Sequence, residues 1–195
     1  MKTLIAYFSH RGMNYAPGGM VELKVGNTER AAKAAAELTG APLFEIRAER
    51  DYPFDYHECV EVSKRELKEN ARPALAELPE GLGELETLVL CYPCWCGTMP
   101  MPVWSFLEAL GPGAPRILPL CTNEGSGMGR SEADIRRLCP GAELAKGLSV
   151  RGSAVGEAGP EIRAWLEKKQ APLNAKRPPG YSGGPFFYPV RQSVT

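Results

Sequence analysis

Apolar residues in this chain gather in short runs with little alternation, separated by stretches of helical period. Residues 2–8 and 85–92 are the strongest of these runs. A strand that is apolar on both faces belongs to a parallel sheet covered by helices on each side. Residues 43–47, 117–121 and 144–150 supply three shorter strands of the same kind. Between them, helical patterns are expected over residues 28–38, 57–70, 102–110, 131–138 and 157–169. The first is alanine-rich, with Asn27 or Thr28 as its N-cap, Glu29 at its positive end and Gly40 as its stop. The second places Val60, Val62 and Leu67 among alternating Glu and Lys, and reads as a mostly solvent-facing helix. Five strand–helix alternations predict an α/β fold, a doubly wound five-stranded parallel sheet with its ligand site at the carboxyl ends of the strands.

Three loops at those ends are unlike ordinary connections. After the first strand comes an irregular stretch, residues 9–24, containing Gly12, Pro17, Gly18 and Gly19, before Gly26-Asn27-Thr28 opens the helix. After the third comes Cys91-Tyr92-Pro93-Cys94-Trp95-Cys96-Gly97-Thr98. Here proline withdraws a ladder donor, tryptophan offers a flat face and glycine lets backbone come close. After the fourth comes Thr122-Asn123-Glu124-Gly125-Ser126-Gly127, a second run of small residues.

Composition narrows the field. Lys plus Arg and Asp plus Glu each total 23 in 195 residues, so no net field selects for nucleic acid or an anionic membrane. The balance is uneven. Residues 171–195 hold Lys176, Arg177 and Arg191 and no acid, leaving 20 basic and 23 acidic side chains in the body. The N-terminal apolar run is too short for a signal-peptide core or a bilayer span, so a cytoplasmic location is expected. Six cysteines are too few for a disulfide scaffold, and Cys59 and Cys139 read as small buried hydrophobes. The division expected is one domain over residues 1–169 and a Pro/Gly-rich extension over 170–195, either disordered or docked through Tyr181, Phe186, Phe187 and Tyr188.

The chemistry lies at the three loops. A helix opening after Gly26 presents unpaired N–H groups to an anion, with Ser9 and Thr28 adding hydroxyls and Arg11 a candidate charge. This arrangement suits a phosphate monoester, yet it is neither a P-loop nor a dinucleotide fingerprint. A Cys-x5-Arg phosphatase would need a thiol where Ser9 stands, and a phospho-accepting receiver domain would need acids where Phe8-Ser9 and Tyr92-Pro93 stand. Cys91, Cys94 and Cys96 resemble part of a metal site whose fourth ligand would be Cys121. Strand alternation separates them, and no metal is expected.

Taken together, Ile5-Ala6-Tyr7-Phe8-Ser9, Gly26-Asn27-Thr28, the stretch from Tyr92 through Pro93, Cys94, Trp95, Cys96, Gly97, Thr98 and Met99 to Pro100, and the loop from Cys121 to Gly127 resemble the flavodoxin-like family, in the subgroup whose phosphate loop carries an insertion. That resemblance implies strand order 2-1-3-4-5 and a bound FMN. Its phosphate would lie on Ser9, Asn27 and Thr28 with Arg11 as an added candidate. Its isoalloxazine would lie between Pro93, Cys94, Trp95, Cys96 and Gly97 on one side and Thr122, Glu124, Gly125, Ser126 and Gly127 on the other. The flavin itself would carry the redox chemistry, leaving no catalytic side chain to assign.

Three functions fit such a chain. One is a redox protein passing electrons through FMN to a partner protein or a small-molecule acceptor. Another is an NAD(P)H-dependent quinone or related reductase. The third is a flavin-free interaction domain that kept the fold. The inserted loop and the aromatic tail would serve as a substrate pocket or as the interface of a homodimer.

Overall fold

A computed structural model describes residues 3–111 and 115–174, with side chains described to residue 169. Of the C-terminal extension expected from residue 170, residues 170–174 instead continue the last helix, and residues 175–195 lie outside the described residues. Five strands form one parallel sheet: β1 (Thr3–Tyr7), β4 (Leu43–Glu45), β5 (Thr87–Pro93), β6 (Arg116–Asn123) and β7 (Leu148–Arg151), in the order β4-β1-β5-β6-β7. This is the 2-1-3-4-5 arrangement expected from sequence. In register, Tyr7 lies beside Cys91, and Pro93 beside Thr122, so the first, third and fourth strand ends meet at one edge.

Residues 12–23, expected to be irregular, form an antiparallel hairpin of β2 (Gly12–Ala16) and β3 (Gly19–Leu23). Pro17 and Gly18 reverse the chain, with Gly18 at φ 102°. The hairpin is anchored at its base, where the Met13 N–H donates to Phe54 O at 2.9 Å.

Two apolar layers cover the sheet. On one face, α1 (Asn27–Thr39) and α5 (Gly159–Asn174) pack on Ile5, Val89, Cys91, Leu118 and Leu120. On the other, α3 (Met101–Ala109) and α4 (Ser131–Leu138) pack on Leu4, Leu88, Leu90 and Tyr92, beside α2 (Tyr56–Glu69). The ends of α2 follow local chemistry. Asp55 accepts from the His57 and Glu58 N–H groups, and Asn70 closes the helix at φ 51°. No helix among the described residues is long and apolar enough to cross a membrane.

The inner face of α1 consists of Ala31, Ala32 and Ala35, each 0% exposed. Side chains of one carbon let the helix lie directly on the strands, and that closeness carries its N-terminus to the sheet edge. Enlarging the contact should therefore cost stability. Ala32→Leu is expected to lower the unfolding free energy by about 1–3 kcal/mol, measured by urea denaturation. A variant as stable as the parent would show that the helix has room to move.

Candidate functional site

A cavity of about 320 Å³ opens where the strand ends meet, a volume at the lower end of small-molecule sites. Ser9, Asn27 and Thr28 line one end, Pro93, Cys94, Trp95 and Cys96 one wall, and Thr122, Glu124 and Ser126 the other. Ten of the fourteen residues expected to hold a cofactor thus share one space. Gly97, Gly125 and Gly127 belong to the turns behind that lining.

The end at α1 is built by close approach. Gly26 caps the helix without a side chain, and a Cβ there would collide with Ser9 Oγ and lie 2.6 Å from His10 O. Ser9 takes over the capping function, its Oγ accepting from the Glu29 N–H at 3.1 Å. The expectation that Asn27 or Thr28 is the cap therefore gives way to a cap supplied from the end of β1. The N–H groups of Asn27 and Thr28 fall in the first helical turn, where no intrahelical acceptor exists. Thr28 Oγ1 lies 2.6 Å from Thr122 Oγ1, tying the helix to the end of β6.

Arg11 points elsewhere. Its guanidinium is 2.9 Å from both Glu29 and Glu45, and it lines a neighbouring cavity with Arg47 and Tyr52. Its part in the site is indirect. Glu29 is buried near the positive end of α1, and its charge would repel an anion there. Burial opposes ionisation of Glu29, yet hydrogen bonds and charge from Lys33 and Arg11 hold its carboxyl below the usual range. The three charges answer one another beside the anion-favouring N–H groups.

The Trp95 wall is a tight turn. Trp95 N–H donates to Thr98 O at 2.7 Å and Thr98 N–H to Trp95 O at 3.0 Å, with Cys96 at φ 50° and Gly97 at φ 79°. Cys96 adopts a left-handed conformation costly for a residue with a side chain, and such strain persists only where neighbours enforce it. Here they do. The Arg130 N–H donates to Gly97 O at 2.8 Å, and a Cβ on Gly129 would collide with that same oxygen. Thr98 Oγ1 donates to Asp134 at 2.6 Å, and the Tyr92 hydroxyl lies 2.8 Å from Ser131 Oγ. Trp95 itself is half-buried, packed edge-on against Phe8, Tyr52 and His10 at 5.1–5.7 Å between ring centres.

The opposite wall turns on Asn123, whose Oδ1 accepts from the Gly125 and Gly127 N–H groups at 2.9 Å each. Glu124 is held by the Ser153 N–H at 2.7 Å and by the Ser153 hydroxyl at 2.9 Å.

Several lining residues escape the sequence reading. Asn123 lies within the motif but reads as a plain turn residue. Tyr56, Cys59, Val60 and Ser63 form a stripe on α2 whose spacing of three and four is the detectable signal. Asn14 and Tyr15 come from the inserted hairpin and His10 from its approach. Gly152 follows β7, where any Cβ would collide with Asn27 Nδ2 and lie 2.8 Å from Glu124 Oε1. The cysteines divide by alternation: Cys91 faces the α1 layer and Cys121 the α3 layer.

A carboxylate whose pKa is lowered on folding contributes stability above its ordinary value of 4.5 and loses it as the pH falls through the lower, folded value. Glu29→Gln should therefore be less stable than the parent at pH 7, with the gap closing as the pH falls below that value. Chemical denaturation across pH measures this, and a gap independent of pH would contradict the network.

The family model described as flavodoxin matches residues 2–169. Among solved structures, a protein from Bacteroides uniformis, provisionally described as a flavoprotein, is 26% identical with TM-score 0.68, the match covering 85% of this chain and 97% of that one. One from Bacteroides eggerthii, described in the same terms, is 25% identical with TM-score 0.64, over 86% and 96%. A flavoprotein from Lactobacillus acidophilus, solved in complex with FMN, shares the fold at 18% identity and TM-score 0.60, over 80% and 97%. No curated protein matches the chain.

Proposed function

The chain belongs to the flavodoxin family, and we propose that it binds FMN in this cavity and passes electrons through the bound flavin. The observation that carries the proposal is the cradle at α1, a glycine with no room for a Cβ beside the first-turn N–H groups of Asn27 and Thr28 and the Ser9 and Thr28 hydroxyls. These are donors for a phosphate monoester. Among the described residues lining the cavity there is no lysine or arginine, so the phosphate would be met by neutral donors and the helix dipole. The flavin would supply one- and two-electron transfer. Trp95 and the Cys96–Gly97 turn would form one wall of its ring site, and residues 123–127 the other. Six free thiols among the described residues suit the reducing conditions of the cytoplasm, where we place the protein.

A second reading is supported by the added wall. Asn14 and Tyr15 of the hairpin and Tyr56 and Val60 of α2 enclose the side of the cavity away from the sheet. An enclosing wall favours a small acceptor over a protein partner, and the absence of cations from the described lining favours an uncharged one such as a quinone. Turnover of NADPH or NADH with a quinone would select the reductase over the carrier.

FMN titration followed by flavin fluorescence tests the common claim. Trp95→Ala is expected to bind FMN about three- to tenfold more weakly, as befits the loss of one aromatic contact. Circular dichroism would check that the variant is folded, and unchanged affinity in a folded variant would remove Trp95 from the site. Failure of the parent protein to bind FMN would sink both readings.

A further inference from the structure

Of the three tryptophans, Trp95 alone is not buried, Trp104 and Trp165 being 3% and 7% exposed. It stands in the cavity wall, and three rings meet it edge-on from behind: Tyr52 at 5.1 Å, Phe8 at 5.3 Å and His10 at 5.7 Å between centres. The three differ chemically. Phe8 carries no ionisable proton, and His10 is committed through Nε2 to Pro53 O at 2.9 Å. A phenol gives up an electron readily when its proton has an acceptor already in place. Tyr52 has one, since its hydroxyl donates to Glu66 Oε2 at 2.6 Å.

That pair opens away from the cavity. Neither Tyr52 nor Glu66 lines it, and both line a separate hollow of about 520 Å³ together with Arg65 and Pro73. Burial, and after it the bond to Glu66, holds the Tyr52 phenol far above its usual range, so the ring stays neutral and must lose its proton along with an electron. Burial also raises the Glu66 carboxyl, against the hydrogen bond from Tyr52 and the Arg65 charge, which makes it a stronger base than an exposed carboxylate. Tyr15 and Tyr56 do line the cavity. Neither ring meets Trp95, and neither hydroxyl has an acceptor among the described residues. Tyr52 joins a ring contact on one side to a proton acceptor on the other.

We propose that Trp95 and Tyr52 form a relay that carries one oxidising equivalent from the cavity to this hollow, with Glu66 accepting the Tyr52 proton. A one-electron oxidant in the cavity takes an electron from Trp95, whose Nε1–H proton goes to water and leaves an indolyl radical. Tyr52 then passes an electron to that ring, which recovers a proton from water. The Tyr52 O–H bond breaks in the same step and its proton goes to Glu66 Oε2. In sum the oxidant has gained one electron and Tyr52 has lost one. The phenoxyl radical stands beside the hollow, where a small reductant such as a thiol or ascorbate restores it by giving a hydrogen atom, and Glu66 releases its proton to water. The relay is a property of the chain alone, whereas its use in draining oxidising equivalents from a redox ligand rests on the FMN reading.

Pulse radiolysis of the full chain, freed of any flavin, tests the relay with azidyl radicals, which take single electrons from tryptophan in preference to most side chains. Because Trp104 and Trp165 are buried, Trp95 is the indole these radicals reach. The indolyl absorption should decay as the phenoxyl absorption grows, in a first-order step whose rate does not depend on protein concentration. In Tyr52→Phe that step should be lost. In Glu66→Gln, which keeps both rings but removes the base, it should slow. Circular dichroism checks that each variant is folded, and if Tyr52→Phe is not, the parent and Glu66→Gln rates decide. No conversion in the parent, or a step that survives in Tyr52→Phe, would overturn the relay, and an unchanged rate in Glu66→Gln would overturn the role of Glu66. FMN binding is measured separately by fluorescence, so a chain that converts the radical without binding FMN keeps the relay and loses the flavin reading.

Discussion

The site depends on how closely α1 can lie on the sheet. Three alanines with no exposed surface leave nothing between helix and strands, so the first turn of α1 arrives at the carboxyl ends of β1 and β6. Thr28 then reaches Thr122 across the sheet edge, and Ser9 reaches the Glu29 N–H. Gly26 is the residue that permits this, because the space a side chain would need is already filled by Ser9 and His10. A larger helix face would lift the N-terminus away and take the anion donors with it.

A second constraint holds the opposite wall. The turn at Cys96–Gly97 is strained, and it is enforced by Gly129 and Arg130, which lead into α4, and by Asp134 of α4 itself. Its rigidity comes from contacts remote in sequence, and it holds the Trp95 wall in place. Electrostatics follow the same plan. The buried charge of Glu29 is answered by Arg11 and Lys33 outside the cavity, whose described lining holds no lysine or arginine and has Glu124 at the far wall. An anion at the α1 end would be met by N–H and hydroxyl donors and the helix dipole rather than by a cation.

The sheet was legible because strands buried on both faces leave continuous apolar runs, and the three loops were legible because small residues interrupt those runs at one end. The hairpin was not. A two-stranded ribbon standing off the core has no fully buried face, so Met13, Tyr15, Met20 and Val21 carry no alternation that burial would select, and Pro17-Gly18 is its one clear mark. Arg11 was legible as a charge near the site but not as the partner of Glu29 and Glu45, since that pairing joins three elements. The cap of α1 failed for the same reason. Local rules favour Asn27 or Thr28, and a hydroxyl from β1 takes the position instead. Gly152 and the α2 stripe contribute to the cavity through packing alone, which no motif records.

The most direct test of this account is an amide NMR titration of the protein with FMN. The account predicts that the largest shift changes fall on Asn27, Thr28, Cys96, Gly97 and residues 124–127, three segments far apart in sequence that the sheet edge brings together. Changes confined to another surface, or none at saturating FMN, would contradict it.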